Sequence, residues 1–110
     1  MAWLILIIAG LFEVVWALSL KQSEGFSKLW PTVLFGISAW ASFLLLSQAI
    51  KSLPIGAAYA AWTGVGAVGV AIAGIVWFEE SASIVRIGCI LLIVVGIAGL
   101  NLTTEAKSLI

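Results

Sequence analysis

Ala9-Gly10-Leu11-Phe12-Glu13-Val14-Val15-Trp16-Ala17 sets a single carboxylate near the middle of an otherwise apolar run. In a bilayer an ionisable side chain at mid-depth costs about 2.5–3.5 kcal/mol or more, so such groups are rare and mark function. Glu13 is therefore the first candidate for a working group. The run extends from Ala2 to Leu20, and three more apolar stretches follow it: Leu29 to Ile50, Leu53 to Phe78 and Ile84 to Leu102. A membrane span needs about 20 residues at a rise of about 1.5 Å each, and every stretch meets or nearly meets that length.

Composition points the same way. Of 110 residues, 64% are hydrophobic and 9% charged, far from the soluble averages of about half and about a quarter. The four stretches are apolar nearly all round, whereas helices of a soluble bundle keep a polar face. The connections, Lys21 to Lys28, Lys51 to Pro54 and Glu79 to Ser83, leave no room for a soluble catalytic or nucleotide-binding domain. The expectation is an all-α membrane protein with four transmembrane helices in a single domain over residues 1–110. The N-terminal stretch lacks a basic leading region and a convincing cleavage site, and reads as a retained helix.

Five Lys and Arg balance five Asp and Glu, so nothing suggests nucleic acid or a polyanionic partner. Cys89 is the only cysteine and there is no histidine, which argues against a disulfide within the chain, a metal site, a catalytic thiol or a cofactor. Of six tryptophans, Trp3, Trp30 and Trp77 fall near segment ends, where indoles favour the headgroup region. Trp40 lies deeper, beside Ile37 and Leu44, and packing or lipid contact accounts for it.

Loop charges give an unexpected orientation. One side would hold Lys51, Lys107 and the amino terminus, the other Lys21, Lys28 and Arg86. Lys and Arg asymmetry sets insertion direction, so a near-balanced count predicts insertion both ways and an antiparallel homodimer. Size supports it: four helices enclose little, and a lone chain would leave Glu13 facing lipid or a shallow groove. The fourth stretch offers a seam, since Gly88 and Gly99 share nearly one angular position and Gly96 precedes Gly99 by three. Small residues let backbones approach in lipid; the alternative is a glycine-rich span without a special role.

Within the first stretch, Ala9, Gly10, Glu13, Trp16 and Ala17 share a helical face. Ser38 and Ser42 are the mid-segment hydroxyls of the second, and either could simply bond its own helix. In the third, Tyr59, Trp62, Thr63 and Gly66 fall on one side, and the Tyr and Trp donors need partners when buried. Gly64, Gly66 and Gly69 within six residues predict a bend, a hinge or close packing. Two symmetry-related Glu13 carboxylates in one apolar chamber would titrate as a coupled pair, holding protons when empty and ionising when a cation arrives. Aromatic walls add cation–π attraction. The implied activity is cation export driven by inward proton flow.

These residues resemble the small multidrug resistance family, and within it the guanidinium exporter branch. The resemblance rests on Ala9-Gly10, Glu13-Val14-Val15-Trp16-Ala17, Leu20-Lys21, Gly25-Phe26, Leu53-Pro54-Ile55-Gly56, Ala58-Tyr59-Ala60 and Trp62-Thr63-Gly64-Val65-Gly66-Ala67-Val68-Gly69. Gly10, Trp16 and Thr63 are similar to the guanidinium branch rather than the quaternary-ammonium branch. It implies an antiparallel dual-topology homodimer in a bacterial inner membrane, exporting guanidinium by proton antiport. Carried over, Glu13 would bind substrate and protons, Trp16, Ser42 and Trp62 would hydrogen-bond and orient the carboxylates, and Tyr59 would couple the subunits during alternating access. Asn101 stands where this branch commonly has lysine.

A planar cation with a fan of N–H donors matches carboxylate oxygens in pairs, which a quaternary ammonium cannot do. Aromatic lining would also admit small substituted guanidines. The alternatives are a multidrug exporter of quaternary ammonium and other lipophilic cations, a non-transporting membrane subunit, and a passive channel; an enzyme ranks last, with no nucleophile pair or cofactor motif.

Overall fold

The structure, a computed structural model, describes residues 1–105. Its elements are four helices, α1 (Ala2–Gln22), α2 (Leu29–Ala49), α3 (Ile55–Trp77) and α4 (Ile84–Glu105). Each is long and apolar enough to cross a membrane, because 21 to 23 residues at about 1.5 Å apiece span the roughly 30 Å hydrocarbon layer. Lys107, one of the charges in the topology count, lies outside the described residues.

Local chemistry sets the helix ends. α3 starts at Ile55, two residues after the apolar stretch begins, because Pro54 disfavours helical backbone at Leu53. α1 runs on to Gln22, and Ser23 then closes it: its buried hydroxyl donates to the Leu20 carbonyl at 2.7 Å and accepts from the Phe26 amide at 3.1 Å. The chain reverses through three consecutive left-handed residues, Glu24, Gly25 and Phe26, at φ of 49°, 73° and 67°. Only the middle one is the residue that adopts this conformation freely, so Ser23 must hold the other two in place. At α4 the Ser83 hydroxyl accepts from the Arg86 amide at 3.2 Å, a side-chain cap for the first turn.

The core is small and made largely of small residues: Leu6, Ala9, Ala49, Ala58, Ala61 and Trp62, with Trp3, Leu45, Leu53 and others packed around it. In lipid, apolar burial drives no association, so close approach of alanine-lined backbones supplies the packing instead. α1 is the hub, lying against both α2 and α3, whereas α4 rests on α3. None of the described α4 side chains is buried. The molecule is a slab, 50 × 35 × 17 Å.

Outside the membrane, Lys28 lies 2.6 Å from Glu24 across the reversal between α1 and α2. The hydrogen bond and charge of Lys28 hold the Glu24 carboxyl below its ordinary 4.5. A depressed folded-state value stabilises only above the unfolded value, and that stabilisation is lost as pH falls through the folded one. Lys28→Gln should return the Glu24 titration, followed by carboxyl carbon chemical shift, to the ordinary carboxylate range, while the wild-type loop loses the pair only at more acid pH.

Candidate functional site

Glu13 points from the middle of α1 at the backbone of α3. Gly66 is buried there, and a Cβ built on it would collide with the Glu13 carboxylate. The same seam continues on either side. A Cβ on Gly10 would come within 2.6 Å of the Val65 side chain and 3.3 Å of the Trp62 carbonyl, and one on Gly69 would strike Val14. Gly64 faces the other way, where a Cβ would sit 2.9 Å from Ile97 of α4. The glycines thus lie where α3 is approached closely from two sides, and α3 runs unbroken through them.

Glu13 Oε1 is buried and has no hydrogen-bond partner among the described residues. Trp16 Nε1 on the same helix is likewise buried without an acceptor, its ring edge-on to Phe35 at 5.9 Å. A buried acceptor and a buried donor left open cost desolvation without return. The arrangement is therefore ready to receive an N–H-bearing guest or a proton at the carboxylate.

Ser42 and Trp62 form a tied pair rather than direct ligands of the carboxylate. Trp62 Nε1 donates to Ser42 Oγ at 3.0 Å, and Ser42 Oγ donates to the Ala9 carbonyl at 2.8 Å. That carbonyl is also the helical acceptor for the Glu13 amide, four residues on. The hydroxyl proton is committed to backbone, so within this chain Ser42 and Trp62 tie down the turn of α1 that carries Glu13. Tyr59 and Phe43 flank the Trp62 ring at 5.4 and 5.3 Å, and Tyr59 is 55% exposed, turned outward from its own chain.

Other sequence candidates sit apart. Ser38 donates to Leu34 and Phe35 carbonyls and Thr63 to Tyr59 and Ala60 carbonyls, all on their own helices. Gly88, Gly96 and Gly99 have open space where a Cβ would be. Phe35 and Phe43 escaped sequence reasoning; Phe35 was findable, seven residues before Ser42 on the same face, whereas no pattern singled out Phe43.

A slab of four apolar helices with one carboxylate seated at mid-span on glycine is a small multi-pass membrane protein equipped to handle cations or protons. Residues 1–104 match the family described as Small Multidrug Resistance protein. The chain is 57% identical over 104 residues to a guanidinium exporter of Yersinia pseudotuberculosis, 56% over 105 to one of Escherichia coli K12 and 54% over 105 to one of Salmonella typhimurium. These alignments cover 94 to 96% of this chain and the whole of each relative. The chain belongs to the small multidrug resistance family and is a multi-pass integral membrane protein; its relatives bear the names of transporters, not enzymes.

Two substitutions test the site. Ser42→Ala strands the Trp62 N–H and should destabilise by about 1–3 kcal/mol, measured by reversible unfolding in mixed micelles, whereas Ser38→Ala, which loses only a local bond, should cost less than about 1 kcal/mol. Gly66→Ala should push α1 from α3 and cost about 1–3 kcal/mol by overpacking, with the Glu13 carboxyl resonance shifted, while Gly36→Ala, which meets open space, should leave both unchanged.

Proposed function

We propose that this protein exports guanidinium in exchange for protons, working as an antiparallel homodimer in a bacterial cytoplasmic membrane. The observation that carries this reading is the buried, unpartnered Oε1 of Glu13 in a chain more than half identical, end to end, to proteins named guanidinium exporter. Guanidinium offers paired in-plane N–H groups along each edge, and two carboxylates from two copies can each take one edge. When the chamber is empty the same oxygens carry protons. Because cation and proton compete for the same atoms, one enters only as the other leaves, and that competition is the coupling.

The dimer is supported by what a single chain leaves open. α4 presents Gly88, Gly96 and Gly99 to empty space and has no buried described side chain, and close helix approach in lipid needs such a surface. Near-equal Lys and Arg on the two sides removes the bias that would enforce one topology. The exposure of Tyr59 beside Trp62 supports a contact with the second copy, and the open Trp16 donor would find its acceptor in the shared chamber. The glycines at 64, 66 and 69 let α3 repack against α1 and α4 as access alternates. A quaternary ammonium substrate would use the rings of Phe43, Tyr59 and Trp62 but brings no N–H to the open carboxylate oxygen.

In proteoliposomes with a proton gradient, purified protein should accumulate guanidinium on the acidic side, with proton movement in the opposite direction. Glu13→Gln should abolish both. Persistent coupled uptake in that variant would overturn the reading, and tetraethylammonium competing as well as guanidinium would favour the multidrug alternative.

A further inference from the structure

A cleft of about 380 Å³ opens between α1 and α3 towards the end of the slab that carries Lys21, Glu80 and Arg86. Its inner wall includes Ala17 and Ala67. Ala17 lies one turn beyond Glu13 on α1, and Ala67 adjoins Gly66 on α3, so the cleft begins beside the candidate site. Its outer end is bordered by the segment after α3. Glu79, at φ 54°, turns the chain back so that the Glu80 amide donates to the Gly74 carbonyl at 3.1 Å. The Glu80 carboxylate then rests on the buried Gly74, where a Cβ would come within 2.6 Å of Oε1.

This is a second carboxylate laid on a bare glycine backbone, and it is occupied. Arg86 Nη2 donates to Glu80 Oε1, with both side chains about two-fifths exposed at the cleft mouth. Lys21 does not compete for the carboxylate: its Nζ sits over the Phe78 ring, 5.2 Å from the centroid, and among the described residues Arg86 is the only cation paired with Glu80. The group bound there is chemically a guanidinium, the same planar N–H fan that Glu13 is proposed to receive.

We propose that Glu80 on Gly74 is a second guanidinium-type binding site, at the mouth of the α1–α3 cleft, filled in the resting chain by the protein's own Arg86. The inference rests on the guanidinium reading of Glu13 for its choice of ligand. A cation passing along the cleft meets a carboxylate already holding its chemical double and exchanges with it. That exchange releases Arg86, and with it the tie between the segment after α3 and the first turn of α4. The pair is partly exposed and so weakly held, but its tether gives Arg86 a high effective concentration that free guanidinium must overcome.

The test removes the central site first. With Glu13→Gln as background, adding Arg86→Gln should tighten calorimetrically measured guanidinium binding at least about tenfold by removing the tethered competitor, and adding Glu80→Gln to that pair should abolish it. No gain on removing Arg86, or a gain that survives Glu80→Gln, overturns the proposal. A second measurement avoids disturbing the pair. Arg86 is the only arginine in the chain, so in Glu13→Gln protein its single arginine Nε resonance should move on titration with guanidinium and stay fixed with tetramethylammonium at equal ionic strength. An unmoved resonance overturns it as well. Glu13-dependent uptake by otherwise wild-type protein is measured separately, so loss of the second site leaves the proposed transport standing.

Discussion

The Glu13 carboxylate rests on the bare backbone of Gly66, and most of the fold is arranged so that it can. A carboxylate occupies space that any larger side chain on α3 would fill. The positions on either side are bare for the same reason: Val65 of α3 seats against Gly10 of α1, with the Trp62 carbonyl also close, and Val14 of α1 seats against Gly69 of α3. The alanine core follows from the same geometry. Ala9, Ala58 and Ala61 are buried because helices that close leave room for little else, and in lipid it is this proximity, not the expulsion of apolar surface from water, that holds them.

A carboxylate at mid-span also needs its helix fixed in rotation, because a turn of α1 by one residue would swing Glu13 about 100° off its glycine. The chain Trp62, Ser42, Ala9 supplies that constraint by tying three helices through two hydrogen bonds. The second bond ends on the carbonyl one turn before Glu13. The hydroxyl is thus both acceptor and donor, and it is satisfied on both counts while the acid beside it is not. This contrast separates the tied part of the candidate site from the carboxylate oxygen left without a partner.

Much of this was legible in the sequence, and the remainder was hidden for definite reasons. The four spans follow from length and hydropathy; their ends differ from the apolar stretches by one to three residues, and at Leu53 and Ser23 a proline and a capping serine account for the difference. The face shared by Glu13 and Trp16 follows from helical periodicity. Ser38 and Ser42, by contrast, are equivalent to a periodicity argument, being one turn apart on one face. What separates them is the position of α1, whose Ala9 carbonyl lies within reach of one and not the other, and that is a tertiary fact. The glycines of α3 posed the same difficulty. Bend, hinge and close contact ask for the same residue, and only the side chains facing each glycine tell which demand is met in this arrangement. The turn after α3 looked like a plain connector; that Glu80 folds back onto Gly74 depends on a left-handed Glu79, which the local sequence does not announce.

The thinness of the slab has a consequence for how the acid experiences its surroundings. At 17 Å across, no backbone atom lies deeper than about half that distance from whatever borders the broad faces. The chain has no interior in the sense of a region insulated from its medium. The polarisability, hydration and charge of that medium act on Glu13 across a single layer of side chains, so the protonation state of the site is a joint property of the protein and its cover. A change of lipid, of detergent or of the surface packed against the slab is, for this carboxylate, equivalent to a mutation.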